Sequence, residues 1–319
     1  MRDSDSFFQV KDVCNASFWA RSLSLKPDWQ GEVLATLVYR PSPISEGRRK
    51  AVLYIHGYID YFFQWELADF YNELGFDFYA IDLRKYGRSL LSHQLPNIID
   101  KIETYYEELD LALNIIRAES DSPDLYLMGH STGGLVASLF ANDRPNTFKA
   151  VLLNSPFFEF NLPWILRKIV LPFVSFLAPS FPTLSVNALP ELYPKSLHRD
   201  HFGEWDFNTD WKPIQNFPAY FMWLKAIRNG HKRVQAGLNI DCPILVMHSD
   251  KSYKKLKFSH EAMSADAVLN VQDIATYGKN IGSKVHISVI KNGMHDLILS
   301  APEVRKNVYQ VMREWLQAL

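Results

Sequence analysis

The sequence has few cysteines and almost no net charge. Cys14 and Cys242 are its only cysteines, far apart in the chain and without a C-x-x-C spacing. A disulfide framework and a cysteine-based zinc site are therefore excluded. The 34 lysines and arginines almost balance the 35 aspartates and glutamates, so the net charge is -1. Such a chain has no general attraction to nucleic acid, and no nucleic-acid partner is predicted.

Long apolar runs are also missing. No uninterrupted apolar stretch approaches the roughly 18 residues that a membrane-spanning helix needs. The polar residues 1–6 are not followed by the apolar run of a signal peptide, so the prediction is a cytoplasmic protein. Aromatic residues, in contrast, make up 14% of the 319 residues, too many for a disordered chain. At about 150 residues per domain, the length favours one large domain or one domain with an insertion.

Short runs that are apolar on both faces alternate with helix-like stretches. The pattern predicts strands at 33–39, 51–55, 76–83, 125–128, 150–153, 243–247 and 285–290, and helices at 64–74, 100–118, 135–141, 267–279 and 302–318. Strands that are apolar on both faces and separated by helices are typical of a parallel sheet covered on both sides. The predicted fold class is therefore α/β, with a doubly wound sheet.

The composition changes between the two halves of this pattern. Residues 156–218 hold nine of the 17 prolines together with many aromatic residues. This proline density excludes regular core helices and central strands, and the stretch is too apolar for a linker. The prediction is a core domain of residues 1–154 and 236–319 with an inserted cap of residues 155–235, called the cap segment below. Its stretch 164–173 either packs onto the sheet domain, or lines an acyl pocket or contacts a membrane surface transiently.

Residues 129–133 read G-H-S-T-G and lie between a predicted buried strand and a predicted helix. In that context G-x-S-x-G predicts a nucleophile elbow, in which glycines avoid clashes around a strained serine. The turn would place the Ser131 hydroxyl at the carboxyl edge of the sheet, where open α/β sheets bind ligands. The alternative is an ordinary glycine-rich turn. The residues of the motif are Gly129, His130, Ser131, Thr132 and Gly133.

A second motif, His56-Gly57-Tyr58, directly follows the predicted strand 51–55. Acyl transfer needs two backbone N–H groups for the negative charge that develops on the carbonyl oxygen. The predicted donors are the amides of Tyr58 and Thr132. The alternative is a tight turn with a hydrogen-bonded histidine.

The base has to be chosen among ten histidines. Only His295 follows the last predicted strand and precedes the terminal helix, so in the chain order nucleophile, acid, histidine it is the candidate base. His198 and His201 lie in the cap segment without a third ligand, and no metal site is predicted.

Together these motifs resemble the α/β-hydrolase superfamily, and more narrowly its monoacylglycerol lipase and lysophospholipase-like serine hydrolases. Residues 82–89, D-L-R-K-Y-G-R-S, resemble the D-x-R-G-H-G-x-S loop of that family, with Lys85 and Tyr86 in place of the Gly-His pair. The resemblance covers roughly residues 30–154 and 243–319. It implies an α/β-hydrolase fold, a Ser-His-Asp triad, no cofactor, and hydrolysis of carboxylic esters or related acyl compounds.

The acid of the triad departs from the family pattern, because Ser252 stands where the family usually has aspartate. Asp266 precedes His295 by 29 residues, which leaves room for one helix and one strand, and its surroundings S-A-D-x-V resemble those of the family's acid. Asp250 precedes His295 by 45 residues and would need an extra segment. Asp266 is the favoured acid and Asp250 the alternative, with 250–264 as an insertion. Either could instead be an ordinary helix-capping aspartate.

The function predicted from these residues is hydrolysis of a small-molecule ester with a hydrophobic acyl group, through an acyl-enzyme on Ser131. One alternative is a peptidase of the proline-iminopeptidase kind, which would need an acidic group near the entrance, such as Asp60, Glu159 or Glu191. The other alternative is a non-catalytic binding protein with a hydrolase fold.

Overall fold

The computed structural model describes residues 10–44, 49–119, 123–187, 190–255 and 257–319. The strands of these residues are β1 (Val10–Lys11), β2 (Trp19–Asp28), β3 (Gly31–Arg40), β4 (Lys50–Ile55), β5 (Phe76–Asp82), β6 (Asp124–His130), β7 (Ala150–Asn154), β8 (Ser185–Val186), β9 (Ala219–Tyr220), β10 (Ile244–Ser249) and β11 (Val285–Ile290). Their α-helices are α1 (Trp65–Glu73), α2 (Tyr106–Glu119), α3 (Thr132–Asp143), α4 (Leu171–Leu177), α5 (Leu192–Leu197), α6 (Phe221–Gln235), α7 (Val271–Gly278) and α8 (Pro302–Gln317).

Within the described residues, nine strands form one sheet in the order β1-β2-β3-β5-β4-β6-β7-β10-β11. Neighbouring strands from β5 to β11 in this order run parallel. At the other edge β1, β2 and β3 are antiparallel, and β3 joins β5 antiparallel. The prediction of a mostly parallel sheet is confirmed, and the sheet also has two strands, β1 and β2, that were not predicted.

Apolar residues fill both faces of the sheet, which is why its central strands are buried along their whole length. One face packs against α2, α3, α6 and α7, through residues such as Leu109, Leu139, Ile227 and Ile274. The opposite face packs against α1 and α8, through residues such as Leu67 and Met312. Helices therefore cover both faces of the sheet, as predicted.

The topology brings several loops to one edge. Because β4, β6, β10 and β11 are parallel, the segments that follow them all leave the sheet at its carboxyl edge, the usual ligand side of an open α/β sheet. These segments contain the H-G-Y motif, the G-H-S-T-G motif, the candidate acids and His295.

The cap segment begins where β7 ends. In the part of it that the structure describes, its short strands β8 and β9 pair only with each other and not with the large sheet. Its last helix, α6, packs on α3 and contributes Trp223 and Val234 to the main core. The boundaries at 155 and 235 stay a prediction. Among the described residues, every helix is too short or too polar to cross a lipid bilayer.

Candidate active site

Ser131 lies in a strained turn between β6 and α3, with φ 52° and ψ -116°. A residue with a side chain rarely adopts a positive φ, because such strain costs about 1–3 kcal/mol and persists only where the surroundings enforce it. The neighbouring glycines explain how the turn fits. A Cβ on Gly129 would lie 2.4 Å from the carbonyl oxygen of Gly133, and one on Gly133 would lie 2.3 Å from those of Ile55 and His56. The sequence therefore folds here only with glycine on both sides of the serine.

Three of the predicted site residues form one chain of hydrogen bonds. The Nε2 atom of His295 lies 3.0 Å from the Oγ of Ser131, and its Nδ1 lies 2.9 Å from an Oδ of Asp266. A carboxylate oxygen can only accept, so Nδ1–H donates to Asp266 and Nε2 is left to accept the proton of the serine hydroxyl. All three side chains are buried, and Asp266 is 0% exposed.

The carboxylate of Asp266 is held on both oxygens. While Oδ2 accepts from His295, Oδ1 accepts from the backbone N–H groups of Val268 and Leu269, at 2.8 and 2.7 Å. Asp250 lies elsewhere: it is exposed and accepts from the N–H of Asn292 at 2.8 Å. His295 thus takes Asp266, and not Asp250, as its partner.

The backbone around Asp266 forms a bridge with the position at which the family usually has aspartate. Asp266 donates its N–H to Lys251 O at 2.9 Å and accepts from the N–H of Tyr253 at 2.7 Å. Ser252 is therefore the bridge partner of Asp266. The bridge closes the base of the predicted insertion, so that Asp266 lies beside Ser252 although 13 residues separate them in the chain.

The amides predicted to bind the oxyanion lie on either side of the serine turn. Thr132 is the first residue of α3, and Tyr58 follows β4 and the buried Gly57. A Cβ on Gly57 would lie 3.3 Å from that of Ser131, so the two turns are in close contact. Among the hydrogen bonds of the described residues, neither the N–H of Tyr58 nor that of Thr132 has an acceptor. Both donors are thus available to a substrate oxygen.

His56 has a structural contact in this loop. Its Nε2 accepts from the N–H of Leu83 at 3.0 Å, so its Nδ1 must carry the proton that it donates to Gly57 O at 2.8 Å. Burial lowers the pKa of His56, in keeping with a neutral ring. The histidine thereby fixes the loop after β4 to the end of β5.

Comparison with known proteins places the chain in a family. The model of the family described as serine aminopeptidase, S33, matches residues 46–301. The chain belongs to this family. A monoglyceride lipase homolog of Monkeypox virus is 23% identical over 259 residues, which cover 79% of this chain and 83% of the relative. The probable lysophospholipase L2 of Haemophilus influenzae is 21% identical over 286 residues, 84% of each chain.

Solved structures show the same fold. Monoglyceride lipase from Saccharomyces cerevisiae, a soluble variant in complex with a substrate analog, superimposes with a TM-score of 0.69 at 15% identity, over 98% of this chain and 97% of that one. The monoacylglycerol lipase of Paleococcus ferrophilus gives 0.64 at 17% identity, over 93% and 98%. The α/β-hydrolase fold is thus confirmed for this chain. The prediction of an enzyme is confirmed by the match to the family of serine aminopeptidases.

In this hydrolase the 82–89 motif braces the loop after β4. One oxygen of Asp82 accepts from the N–H of Phe62 at 2.9 Å, and the other accepts from Arg88, whose Nη1 lies 2.8 Å away. Ser89 closes the turn by donating its hydroxyl to Asp82 O at 2.7 Å. Where the family motif has Gly-His, Lys85 adopts a positive φ of 65° and the ring of Tyr86 packs against His56. The motif is therefore structural in this chain.

Two residues of the hydrolase that sequence reasoning missed lie directly behind the serine and histidine. Asp296, which follows His295, accepts from the side-chain amide of Asn154 at 2.6 Å. The side-chain oxygen of Asn154, the last residue of β7, accepts from the N–H of Leu297 at 3.2 Å. The backbone carbonyl of Asn154 accepts from Nδ1 of His130, also at 3.2 Å. Asn154 therefore holds the residues next to both Ser131 and His295. The adjacency of Asp296 to His295 was the available signal.

The same region holds the one set of described residues spaced for a metal ion. Ligand atoms of Asp60, His130 and Asp296 lie within 4.8 Å of one another, and all three side chains are buried. However, Lys212 places its ammonium 2.7 Å from Asp60. Asp296 is already bonded to Asn154, and Gln64 donates to it at 3.4 Å. Because a lysine supplies the positive charge and the amides take the oxygens, these residues do not fit a resident metal.

Proposed function

We propose that the chain is a serine ester hydrolase that cleaves carboxylic esters of hydrophobic acyl groups through an acyl-enzyme. The observation that carries this proposal is the chain of hydrogen bonds from Ser131 through His295 to Asp266, at 3.0 and 2.9 Å. This order of nucleophile, base and acid performs acyl transfer on several unrelated folds. The names of the relatives, monoglyceride lipase homolog and probable lysophospholipase, favour an ester with a fatty acyl group.

The first step of the proposed mechanism forms the acyl-enzyme. Nε2 of His295 takes the proton of Ser131 as Oγ attacks the ester carbon, and the amides of Tyr58 and Thr132 stabilise the oxyanion. Asp266 orients the imidazole and stabilises its positive charge. The imidazolium then gives its proton to the leaving alkoxide, so that the alcohol departs. Water then enters and attacks the acyl carbon while His295 takes its proton. The imidazolium returns that proton to Oγ of Ser131 as the bond to the acyl carbon breaks and the acid leaves.

The peptidase alternative is disfavoured by the three acids that it would use. A peptide amine is a cation and needs a carboxylate that is not already neutralised. Asp60 is paired with Lys212 at 2.7 Å, and Glu191 is paired with Lys195 at 2.6 Å. One carboxylate oxygen of Glu159 lies 3.8 Å from Nη1 of Arg167, and the other accepts from the backbone N–H of Phe160, the next residue in the chain. Each candidate acid thus has a partner within the chain.

A membrane surface is the partner that we infer for the cap segment. Of the two interpretations of 164–173, packing onto the sheet is wrong for most of this stretch, since only Leu171 is buried there. Ile165, Ile169, Phe173 and Phe176 recur at helical spacing, and Phe176 is 78% exposed. An exposed apolar helix face of this kind inserts into a lipid interface. The exposed apolar face is formed by Trp164, Ile165, Leu166, Ile169, Val170, Phe173 and Phe176.

A small cavity borders the site. It has a volume of about 30 Å³ and is lined by residues that include Tyr58, Tyr193, Lys212 and Val268. This space holds about two water molecules. We infer that contact of the apolar face with lipid moves the cap segment and makes room here for a larger alcohol or acyl group. The free Cys14 and the buried Cys242 suit the cytoplasmic location that the sequence predicts.

The test of this function is covalent labelling by a fluorophosphonate, followed by hydrolysis of p-nitrophenyl esters of graded acyl length. We expect stoichiometric labelling of the wild type, none of Ser131→Ala, and a loss of about 10⁶ in kcat in that variant. The dependence of the hydrolysis rate on acyl length then shows how long an acyl group the pocket accepts. A folded wild-type protein that neither labels nor hydrolyses any ester, but binds a ligand, would establish the binding-protein alternative instead.

A further inference from the structure

Lys212 is a buried cation that the cap segment contributes to the core domain. Its side chain is 8% exposed, and its ammonium lies 2.7 Å from an oxygen of Asp60, whose side chain is 3% exposed. The ammonium also lies 5.6 Å from the ring centroids of Phe63 and Phe207. Neither charge is stable alone in such surroundings, because a buried ion without its partner loses its solvation and gains nothing in return. Docking of the cap segment and burial of Asp60 therefore depend on each other.

Asp60 belongs to the loop that carries the Tyr58 amide. Between the two stands Ile59, a β-branched residue with a positive φ of 50°. Such a backbone conformation persists only where the surroundings enforce it. The carboxylate of Asp60 is one residue from this strained position, so its contact with Lys212 acts directly on the conformation that presents the Tyr58 N–H.

The other residues of the loop are also held by the cap segment. The hydroxyl of Tyr58 donates to Pro218 O at 3.2 Å, and its ring stacks on Trp223 at 4.0 Å between centroids. The hydroxyl of Tyr61 accepts from the N–H of Asn208 at 2.7 Å. Tyr58, Asp60 and Tyr61 of the loop after β4 thus all contact residues of the cap segment. Among these contacts, the one between Lys212 and Asp60 is the ion pair.

The charges around Asp60 show what Lys212 contributes. Burial alone would raise the pKa of Asp60, but the ammonium of Lys212 holds it below its usual range. The carboxylate of Asp296 belongs to the same cluster. Without Lys212, two buried carboxylates would face each other behind Ser131 and His295 with no cation between them. Asp60 would then take up a proton or the loop would move.

We propose that Lys212 is a positioning residue, which sets the oxyanion-binding amide of Tyr58 by holding Asp60 and so completes the site only when the cap segment is docked. The proposal rests on the proposed function. It makes transition-state stabilisation, and not substrate affinity, the quantity that depends on this contact between cap and core.

The experiment compares wild type, Lys212→Met, Lys212→Arg, Asp60→Asn and the double variant K212M/D60N, in the full chain. The readouts are kcat and KM for p-nitrophenyl butyrate, the rate of fluorophosphonate labelling, and the pH profile of kcat/KM. Lys195→Met is the matched control, since it removes a lysine that pairs with Glu191 on the exposed side of the cap segment. Circular dichroism and thermal melting report folding.

We expect Lys212→Met to lower kcat and the labelling rate about 10²-fold, as when an oxyanion donor is lost, with KM within threefold of wild type. Lys212→Arg should recover most of this loss, and the double variant should have the same reduced kcat as K212M, because both substitutions remove one and the same contact. In K212M the acid limb of the pH profile should move to higher pH, because Asp60 protonates more readily. Lys195→Met should match wild type.

Three results would overturn the proposal: a folded K212M with wild-type kcat, a loss confined to KM, or a double variant whose losses multiply. If K212M does not fold, K212M/D60N takes its place, because it buries no charge at this position. A folded K212M/D60N with wild-type kcat would then overturn the proposal. Failure of the proposed function has a different signature, since wild type itself would then neither label nor hydrolyse.

Discussion

At the scale of single residues, Asp266 illustrates how a carboxylate is kept in one orientation. Its two oxygens have separate partners, His295 on one side and the amides of Val268 and Leu269 on the other. The amides fix the plane of the carboxylate, and that plane fixes the ring of His295. The carboxylate of Asp250 instead accepts from the exposed N–H of Asn292, and among the described residues it makes no hydrogen bond to the histidine.

Replacement of the two aspartates should therefore have unequal effects. Asp266→Asn keeps the shape but presents an amide to Nδ1, which favours the wrong tautomer of His295, so we expect kcat to fall roughly 10³–10⁴-fold. Asp250→Asn should stay within twofold of wild type. Hydrolysis of p-nitrophenyl butyrate measures both, and near-ultraviolet circular dichroism controls for folding. Equal activity of Asp266→Asn and wild type would contradict the assignment of the acid.

At the scale of elements, the bridge between Ser252 and Asp266 determines where the proposed acid, Asp266, lies. It is a parallel bridge, in which the two partners direct their side chains to the same side of the backbone. The hydroxyl of Ser252 accepts there from the N–H of Val271, the first residue of α7, at 2.9 Å. The position that the family uses for its acid and the position used here thus lie side by side.

This geometry predicts a rescue. In the inactive Asp266→Asn background, Ser252→Asp should place a carboxylate on the same side of the bridge, and we expect it to restore kcat by about tenfold or more. Ser252→Asn in the same background is the matched control and should restore nothing. The comparison is made with p-nitrophenyl butyrate over pH 6 to 9. If both double variants remain equally inactive, the side chain at 252 does not reach His295.

How far the sequence predicts these elements depends on how local their causes are. The strands from 33 onwards and the turn at Ser131 follow from apolar runs and glycines that are read within a few residues. The helix predicted at 267–279 begins only at Val271, because Asp266 binds the amides of 268 and 269 and Asn270 caps the helix by accepting from Gln272. The strand β2 was missed because it alternates exposed and buried residues at the sheet edge.

The residues of the candidate site also differ in how far local sequence predicts them. Ser131 and Asp266 could be proposed from local strings and from the spacing to His295. Lys212 could not, because its partner Asp60 is 152 residues away in the chain and no local pattern joins them. Its burial depends on how the cap segment folds back, which the proline-rich composition of that segment does not specify.

At the scale of the whole molecule, one prediction concerns lipid surfaces. Phe173→Ser and Phe176→Ser together should reduce binding to phospholipid vesicles at least tenfold, because they remove two exposed aromatic side chains from the apolar helix face. Hydrolysis of the water-soluble p-nitrophenyl acetate should not change. Trp29→Ser removes a side chain that is 64% exposed in the turn between β2 and β3, outside the cap segment, and is the control. Vesicle sedimentation measures binding, and an equal loss in the control would argue against a specific face.

Another prediction concerns stability in acid. Burial against Phe157 and Phe160 lowers the pKa of His231 from its ordinary value of 6.5 to about 3. Between about pH 6.5 and pH 3, His231 therefore binds a proton in the unfolded chain but not in the folded chain. Its contribution to the free energy of unfolding is complete above pH 6.5 and falls as the pH is lowered from about 6.5 to 3. From pH 7.5 to 5.5 this group removes about 1.4 kcal/mol from the free energy of unfolding.

His231→Leu should abolish that part of the pH dependence, since it keeps the apolar packing and removes the titrating ring. Urea unfolding at pH 7.5 and 5.5 gives the free energies for both proteins. At the higher pH His231 is neutral in either state, so the difference measured there isolates the packing effect of the substitution. The same pH dependence in both proteins would show that the ring is charged in the folded state.

The bridge at Ser252 has one more consequence, for the use of this protein as a reagent. Because the backbone closes at 252 and 266, the length of chain between these residues does not determine where the carboxylate lies. Lys254 and Lys255 are exposed there, and at least ten residues of the chain separate them from Ser131, Asp266 and His295, the residues of the proposed triad. A peptide epitope spliced between them, or a bead coupled to their amines, would tether the enzyme to a support and leave its chemistry intact.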